Sequence, residues 1–153
     1  MKNESFAVYA FPCGNLEIGC TDEAVCHVLF TKKEVGGTPT EMTERTVRQL
    51  REFFDGKRKD FELPLEPKGT EFQKKVWAAL CDIPYGETKS YKDVAAAVGS
   101  KKAFRAVGQA NHNNPISIVI PCHRVIAADG GLGGYGGGLE TKIQLLKLEK
   151  EYC

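Results

Sequence analysis

The sequence predicts a mixed α/β fold in two domains, a strand-rich one over residues 1–66 and a mainly helical one over residues 67–153. Three observations lead there. Short β-rich runs crowd residues 5–31, hydrophobic spacing changes to the helical period after Thr70, and a proline-rich stretch separates the two patterns.

"FAVYAF", "GNLEIGC" and "AVCHVLF" read as strands because Gly, Asn and Asp turn signals separate them. "TERTVRQLREFFDG" reads as an amphipathic helix, with Val47, Leu50, Phe53 and Phe54 on one face and Gly56 as its stop. "FELPLEPKG" reads as an extended joint and places the domain boundary. "GTEFQKKVWAALCDIPYG" opens on a capping box, Thr70 with Gln73, and sets Phe72, Val76, Trp77 and Leu80 at helical spacing. Cys81, on the same helix, reads as core. "TKSYKDVAAAVGS" predicts a helix from Ser90, with Asp93 three residues on and Gly99 as its stop. "KKAFRAVGQANHNNP" makes the next helix, so the pair reads as a helix-turn-helix. The β-branched run Ile116 to Ile120 predicts a strand ending at Pro121. "GGLGGYGGGL" is the one compositionally biased segment, and a last helix carries Glu140 and Glu149.

With 42% hydrophobic and 27% charged residues, the composition is that of a water-soluble globular chain. No apolar run is long enough to span a bilayer, and the first residues lack a secretory pattern. Cys153, in last place, does not make a prenylation box. The six cysteines show no framework spacing, so reduced thiols in an intracellular compartment, cytoplasmic or nuclear, are expected. Net charge is +1, from −2 over residues 1–65 (9 basic, 11 acidic) and +3 over residues 66–153 (12 basic, 9 acidic). The excess concentrates between residues 85 and 125, where Lys89, Lys92, Lys101, Lys102, Arg105 and Arg124 face only Glu87 and Asp93, a modest basic patch that fits a polyanion or a plain solvated surface.

On the second helix of the helix-turn-helix, Ala103, Ala106, Gly108 and Ala110 leave a thin surface from which Arg105 projects. Small residues permit close approach, either to DNA with Arg105 on its charge or to a neighbouring helix. "PCHRV" then sets Cys122 between Pro121 and the basic residues His123 and Arg124. A cysteine becomes a good nucleophile once a base takes its proton. Neighbours on a strand face opposite sides, so a Cys122–His123 relay needs a turn, a bridging water and a third group to orient the imidazole. The plain alternative is a buried structural cysteine beside a surface histidine.

"PCHRV", preceded by "RAVGQANHNNPISIVI", resembles the active-site signature of the O6-alkylguanine-DNA alkyltransferases, the methylated-DNA–protein-cysteine methyltransferases. "GTEFQKKVWAALCDIPYGETKSY", "GGYGGGLETKIQLLKLE" and "FFDGKRKDFELPL" resemble that family in order and spacing, over about residues 45 to 150. The resemblance implies an N-terminal α/β domain similar to ribonuclease H, followed by a winged helix-turn-helix domain. It implies flipping of O6-alkylguanine out of duplex DNA, since stacking walls in the O6 substituent. The alkyl group then passes irreversibly to Cys122, once per molecule. It further implies no cofactor, action as a monomer, and O4-alkylthymine as a second candidate substrate.

Site roles follow from the same resemblance. Cys122 matches the acceptor, His123 the base acting through water, and Glu149 the carboxylate orienting it. Tyr91 matches a proton donor to guanine N3 near the target phosphate, and Asn114 the residue tying the active-site loop to the recognition segment. Arg105 matches a finger filling the vacated space in the duplex; Ala106 and Gly108, from the thin helix surface, and Arg124, from the basic patch, are expected as further DNA contacts. Val125, Tyr135, Gly136 and Lys142 match substrate-pocket positions. Some relatives bind zinc in the first domain. Here the C-x6-C-x5-C-H spacing of Cys13, Cys20, Cys26 and His27 is not a zinc pattern, so no metal is expected. Two rival functions remain. Relatives that bind alkylated bases without catalysis lack the cysteine, which this chain has. Regulatory relatives carry an additional sensing domain, for which 153 residues leave no room.

Overall fold

The first three strands form an antiparallel sheet that buries Ala7, Phe11, Leu16, Ile18, Val25 and Val28. β1 (Ser5–Phe11) and β2 (Gly14–Cys20) form a hairpin; β3 (Val25–Phe30) pairs with β2, and the short β4 (Gly36–Gly37) pairs with β1. The computed structural model describes residues 3–153. The strand order is β3-β2-β1-β4. Ala7, Ile18 and Val28 stand in register and are buried together. Helix α1 (Glu41–Phe54) covers the sheet with Val47, Leu50 and Phe53. Its N-cap is Thr40, with Thr43 completing the capping box, so it begins two residues before the Thr43 start expected from the pattern. The proline-rich joint runs extended beside β3: Val25 N–H donates to the Pro64 carbonyl (2.8 Å) and Glu66 N–H to the Val25 carbonyl (2.8 Å).

The chain divides into two compact units, one ending at Pro67 and the other spanning Lys68–Cys153. The second holds α2 (Glu71–Cys81), β5 (Lys89–Ser90), α3 (Tyr91–Ala97), α4 (Phe104–His112), a 3-10 turn (Cys122–Arg124), β6 (Val125–Ile126) and α5 (Leu139–Tyr152). Capping boxes at Thr70 and Ser90 start α2 and α3 as the sequence predicts. Gly99, at φ +78°, reverses the chain between α3 and α4 and completes the helix-turn-helix. Val76, Trp77 and Leu80 of α2 pack with Val94, Val107 and Ala110, and the Trp77 indole N–H donates to the Ala110 carbonyl (2.8 Å). Among the described residues no helix is long and apolar enough to cross a membrane.

Two expectations are corrected. The run Ile116 to Ile120 is not a ladder strand but a tight turn, with one isolated bridge, Ser117 to Ile120. Ile118 takes φ +71°, a left-handed conformation costly for a β-branched residue. The Asn114 side chain stands in for a partner strand: its amide donates to the Ile120 carbonyl (2.9 Å) and its oxygen accepts from Ile116 N–H (3.0 Å). Cys81 is exposed rather than core, because it ends α2 just beyond the inward-facing Leu80. β5 and β6, two residues each, are too short to leave a period in the sequence.

Candidate active site

The turn around Asn114 delivers the chain into the 3-10 turn that carries Cys122. Cys122 N–H donates to the Ile120 carbonyl (2.8 Å) and Arg124 N–H to the Pro121 carbonyl (3.0 Å). The thiol is 4% exposed. Burial pushes its pKa up to about 11, against a hydrogen bond from Asn114 and the positive charge of Lys142. A free thiolate is therefore scarce at neutral pH, and the thiol needs a base before it can act as a nucleophile.

That base can be His123. Its ring is fully buried, and Nε2 lies 2.5 Å from Glu149 Oε2. Glu149 is also held by Arg124. Nε donates to both carboxylate oxygens (2.8 and 3.1 Å), Nη2 donates to Oε2 (3.0 Å), and Gly86 N–H donates to Oε1 (3.1 Å). Burial alone would raise the Glu149 carboxyl, but His123 and Arg124 outweigh it and hold it at about 2. Burial lowers the His123 pKa in spite of Glu149, so the imidazole is neutral at rest. A neutral imidazole facing a carboxylate carries its proton on Nε2, leaving the lone pair on Nδ1. Nδ1 is buried and has no hydrogen-bond partner among the described residues.

Helix α5 supplies both Glu149 and Lys142, which lie on one buried face with Leu145 between them. Lys142 Nζ donates to the carbonyls of Val125 (2.6 Å), Gly134 (3.2 Å) and Leu132. Burial lowers its pKa to about 8, against the pull of Cys122. The ammonium thereby pins the glycine-rich loop to the strand leaving the active turn. β5 pairs in parallel with β6, Ser90 opposite Ile126, and sets Tyr91 at the start of α3 beside that turn. Burial raises the Tyr91 hydroxyl above its ordinary range, against hydrogen bonds from the Gly134 backbone and the Asn111 amide. Gly133, at φ +70°, fits this hydroxyl where a Cβ would come within 2.6 Å of it.

Helix α4 presents Arg105, Ala106, Gly108, Gln109 and His112 around an open concavity of about 650 Å³. Arg105 and Ala106 are exposed, and Val107 and Ala110 face the core.

The structure thus brings Cys122, His123, Glu149, Asn114, Lys142, Val125 and Tyr91 together, and leaves Arg105, Ala106 and Gly108 on an accessible helix face. Tyr135 is half-buried and Gly136 exposed on the glycine-rich loop. Arg124 is a correction. It is 6% exposed and its guanidinium is taken up by Glu149 and by the Ile83 carbonyl (2.7 Å from Nη1), so it is not offered to phosphate. Asn111, absent from the sequence-based set, is buried on α4 with its amide on the Cys122 carbonyl (3.4 Å). A polar residue in the alanine-rich run of α4 was its one sequence signal. Cys20 and Cys26 are buried and Cys13 half-buried in the first unit.

The ribonuclease-like domain of the 6-O-methylguanine DNA methyltransferases matches residues 5–67, and their DNA binding domain matches residues 71–151. The methylated-DNA–protein-cysteine methyltransferase of Methanosarcina barkeri is 47% identical over 146 residues, covering 91% of this chain and 92% of that protein. The crystal structure of the O6-methylguanine methyltransferase of Mycobacterium tuberculosis superposes with a TM-score of 0.89 at 39% identity, covering 99% of this chain and 95% of that one. The same organism's OGT in complex with DNA gives a TM-score of 0.87 at 39% identity, over 97% and 94% of the two chains. The sheet unit and the helical unit are those of these structures, and their matched sequences run through the Cys122 site. The chain belongs to the 6-O-methylguanine DNA methyltransferase family, the methylated-DNA–protein-cysteine methyltransferases.

Proposed function

We propose that this protein repairs duplex DNA by moving the alkyl group of O6-alkylguanine onto the sulfur of its own Cys122, once per molecule. The observation that carries this reading is the buried thiol next in sequence to a neutral imidazole, with the imidazole held by an ionised glutamate. A thiol this enclosed cannot reach a base inside a stacked duplex, so the damaged nucleotide leaves the stack and enters the site. The small residues Ala106 and Gly108 let α4 approach the groove, and Arg105 takes the place of the extruded base. The exposed Lys89, Lys92, Lys101 and Lys102 supply sequence-independent attraction to phosphate.

Within the site the Cys122 proton passes through water to His123 Nδ1. The sulfur–carbon bond forms as the carbon–O6 bond breaks, and the electron pair stays on guanine. Tyr91 donates a proton to guanine N3, so that neutral guanine leaves, and the proton taken up by His123 returns through solvent to the Tyr91 phenolate. In the net reaction one proton replaces the alkyl group on the base. Val125 has a second carbonyl lone pair beside the one used by Lys142, and this accepts from the guanine amine. Tyr135 walls the alkyl pocket, and backbone N–H groups around Gly136 face O6. The leaving group is guanine itself, so no cofactor is required. O4-alkylthymine presents the same alkyl–oxygen bond and is the second substrate. The chain acts as a monomer and works in a reducing intracellular compartment, where its thiol persists.

Intact-mass measurement after incubation with a duplex containing O6-methylguanine tests this. One added methyl is expected, mapped to Cys122, and Cys122→Ser should abolish transfer while keeping DNA binding. A methyl on any other cysteine, or transfer by Cys122→Ser, would overturn it.

A further inference from the structure

Arg124 lies in the active turn yet does not face the site entrance. Its guanidinium makes a fork on Glu149 and a third contact, Nη1 to the Ile83 carbonyl (2.7 Å), and it stacks 5.6 Å from the centre of the Tyr85 ring. A carboxylate has about four lone-pair sites on its two oxygens. On Glu149, Arg124 and Gly86 N–H occupy Oε1, while Arg124 and His123 share Oε2. A proton on Oε1 would displace a bond from Arg124 or Gly86, so a protonated Glu149 could carry it only on Oε2, along the line to His123 Nε2.

This matters because the Glu149–His123 pair can hold one proton or two. If Glu149 is ionised, Nε2 keeps the proton and Nδ1 is the acceptor. If the pair gains a second proton, Glu149 can hold one and donate it to Nε2, while Nδ1 carries the other. In that second arrangement the imidazole has no lone pair free for a thiol proton. We infer that Arg124 is a positioning residue for the alkyl transfer: its fork holds Glu149 ionised, so the Glu149–His123 pair keeps a single proton on Nε2 and Nδ1 stays open as the proton acceptor. The inference rests on the reading of Cys122 as the alkyl acceptor and His123 as its base.

The charged and titratable groups facing His123 are Glu149 and Lys142 from α5 and Arg124 from its own turn. Cys122 adjoins it in the same turn and interacts with Lys142 and Tyr91; Tyr85, in the loop after α2, stacks on Arg124. Arg124 and Lys142 both disfavour a charged imidazole. Removal of Arg124 leaves Glu149 with one strong partner, so the pair binds a proton more tightly, and the low-pH decline of the transfer rate moves to higher pH.

The test is single-turnover methyl transfer as a function of pH for wild type, Arg124→Met and Arg124→Lys, together with nitrogen-15 NMR of His123. Arg124→Met should slow transfer at neutral pH by about a hundredfold or more and move the acid limb upward. Its His123 should show the Nδ1–H tautomer or the imidazolium. Arg124→Lys, which restores charge without the planar fork, should recover part of the rate and return the limb toward wild type. A rate lowered equally at every pH, with the wild-type tautomer retained, would show a merely structural role and overturn the inference. If Arg124→Met does not fold, the wild-type spectrum decides: Nδ1–H there is equally fatal. Failure of wild type to accept a methyl on Cys122 would instead count against the functional reading, and the NMR result stands apart from it.

Discussion

His123 shows how one residue's surroundings set both chemistry and stability. Burial holds its folded pKa below the ordinary 6.5, so the unfolded chain binds a proton that the folded chain refuses as pH falls through 6.5. Stability is complete above that pH and declines below it. Glu149 acts in the same direction lower down. Its pKa is about 2 when folded against 4.5 ordinarily, so the stability it contributes is present above pH 4.5 and is lost by about 2. At 1.36 kcal/mol per unit this is roughly 3 kcal/mol. Denaturant melts at pH 7, 5 and 3 should therefore fall in stability, and Glu149→Gln should flatten the dependence between pH 5 and 3. The transfer rate should hold steady until the pH is below 6.5 and then drop as His123 charges. An acid limb centred above 7 would contradict the neutral resting imidazole.

At the scale of the element, α3 and α4 are positioned by features with a local cause. The Ser90 cap starts α3 and thereby places Tyr91; Ser90→Ala should cost about 1 kcal/mol in a denaturant melt. Arg105 is exposed on α4 and has no part in the core, so Arg105→Ala should slow repair of duplex DNA at least tenfold more than reaction with free O6-benzylguanine. Equal losses on both substrates would assign it to folding or to the pocket. Helix α3 was legible in the sequence because its Ser90–Asp93 capping box and Gly99 stop are written in neighbouring residues. The Ile116–Ile120 turn was not. Its composition is that of a strand, and only the Asn114 amide, with two hydrogen bonds into the turn, outweighs that propensity. The inner face of α5 was equally hidden from periodicity, because Lys142 and Glu149 occupy positions that ordinarily hold apolar side chains. Resemblance to a known family marked both residues. Charge counting along the sequence misplaced Arg124, whose exposure depends on a glutamate 25 positions away.

For the whole molecule, alkylation is a change in packing as well as in activity. Cys122 is enclosed, and added carbon in a close-fitted interior typically costs about 1–3 kcal/mol. A domain has only about 5–15 kcal/mol of stability to lose. The alkylated protein should melt below the unmodified one, more so with benzyl than with methyl, and its DNA affinity should fall because Asn111 joins α4 to the Cys122 carbonyl. Calorimetry of the two adducts checks this; an unchanged melting temperature with a benzyl group would exclude it. Methyl uptake should also stop at one per chain however much damaged DNA is supplied.

The raised pKa of Cys122 has a consequence for reactivity toward free electrophiles. Small alkylating agents and oxidants react with exposed thiolates, and Cys122 offers neither exposure nor charge at rest. Cys153, which is exposed, should be the first to take iodoacetamide in a brief pulse followed by peptide mapping, ahead of Cys81, whose thiol pKa is pushed up by burial, with Cys122 among the last. A cell under chemical attack would then hold its acceptor sulfur in reserve, silent to the reagents that damage DNA and responsive to their product once a base has carried it in.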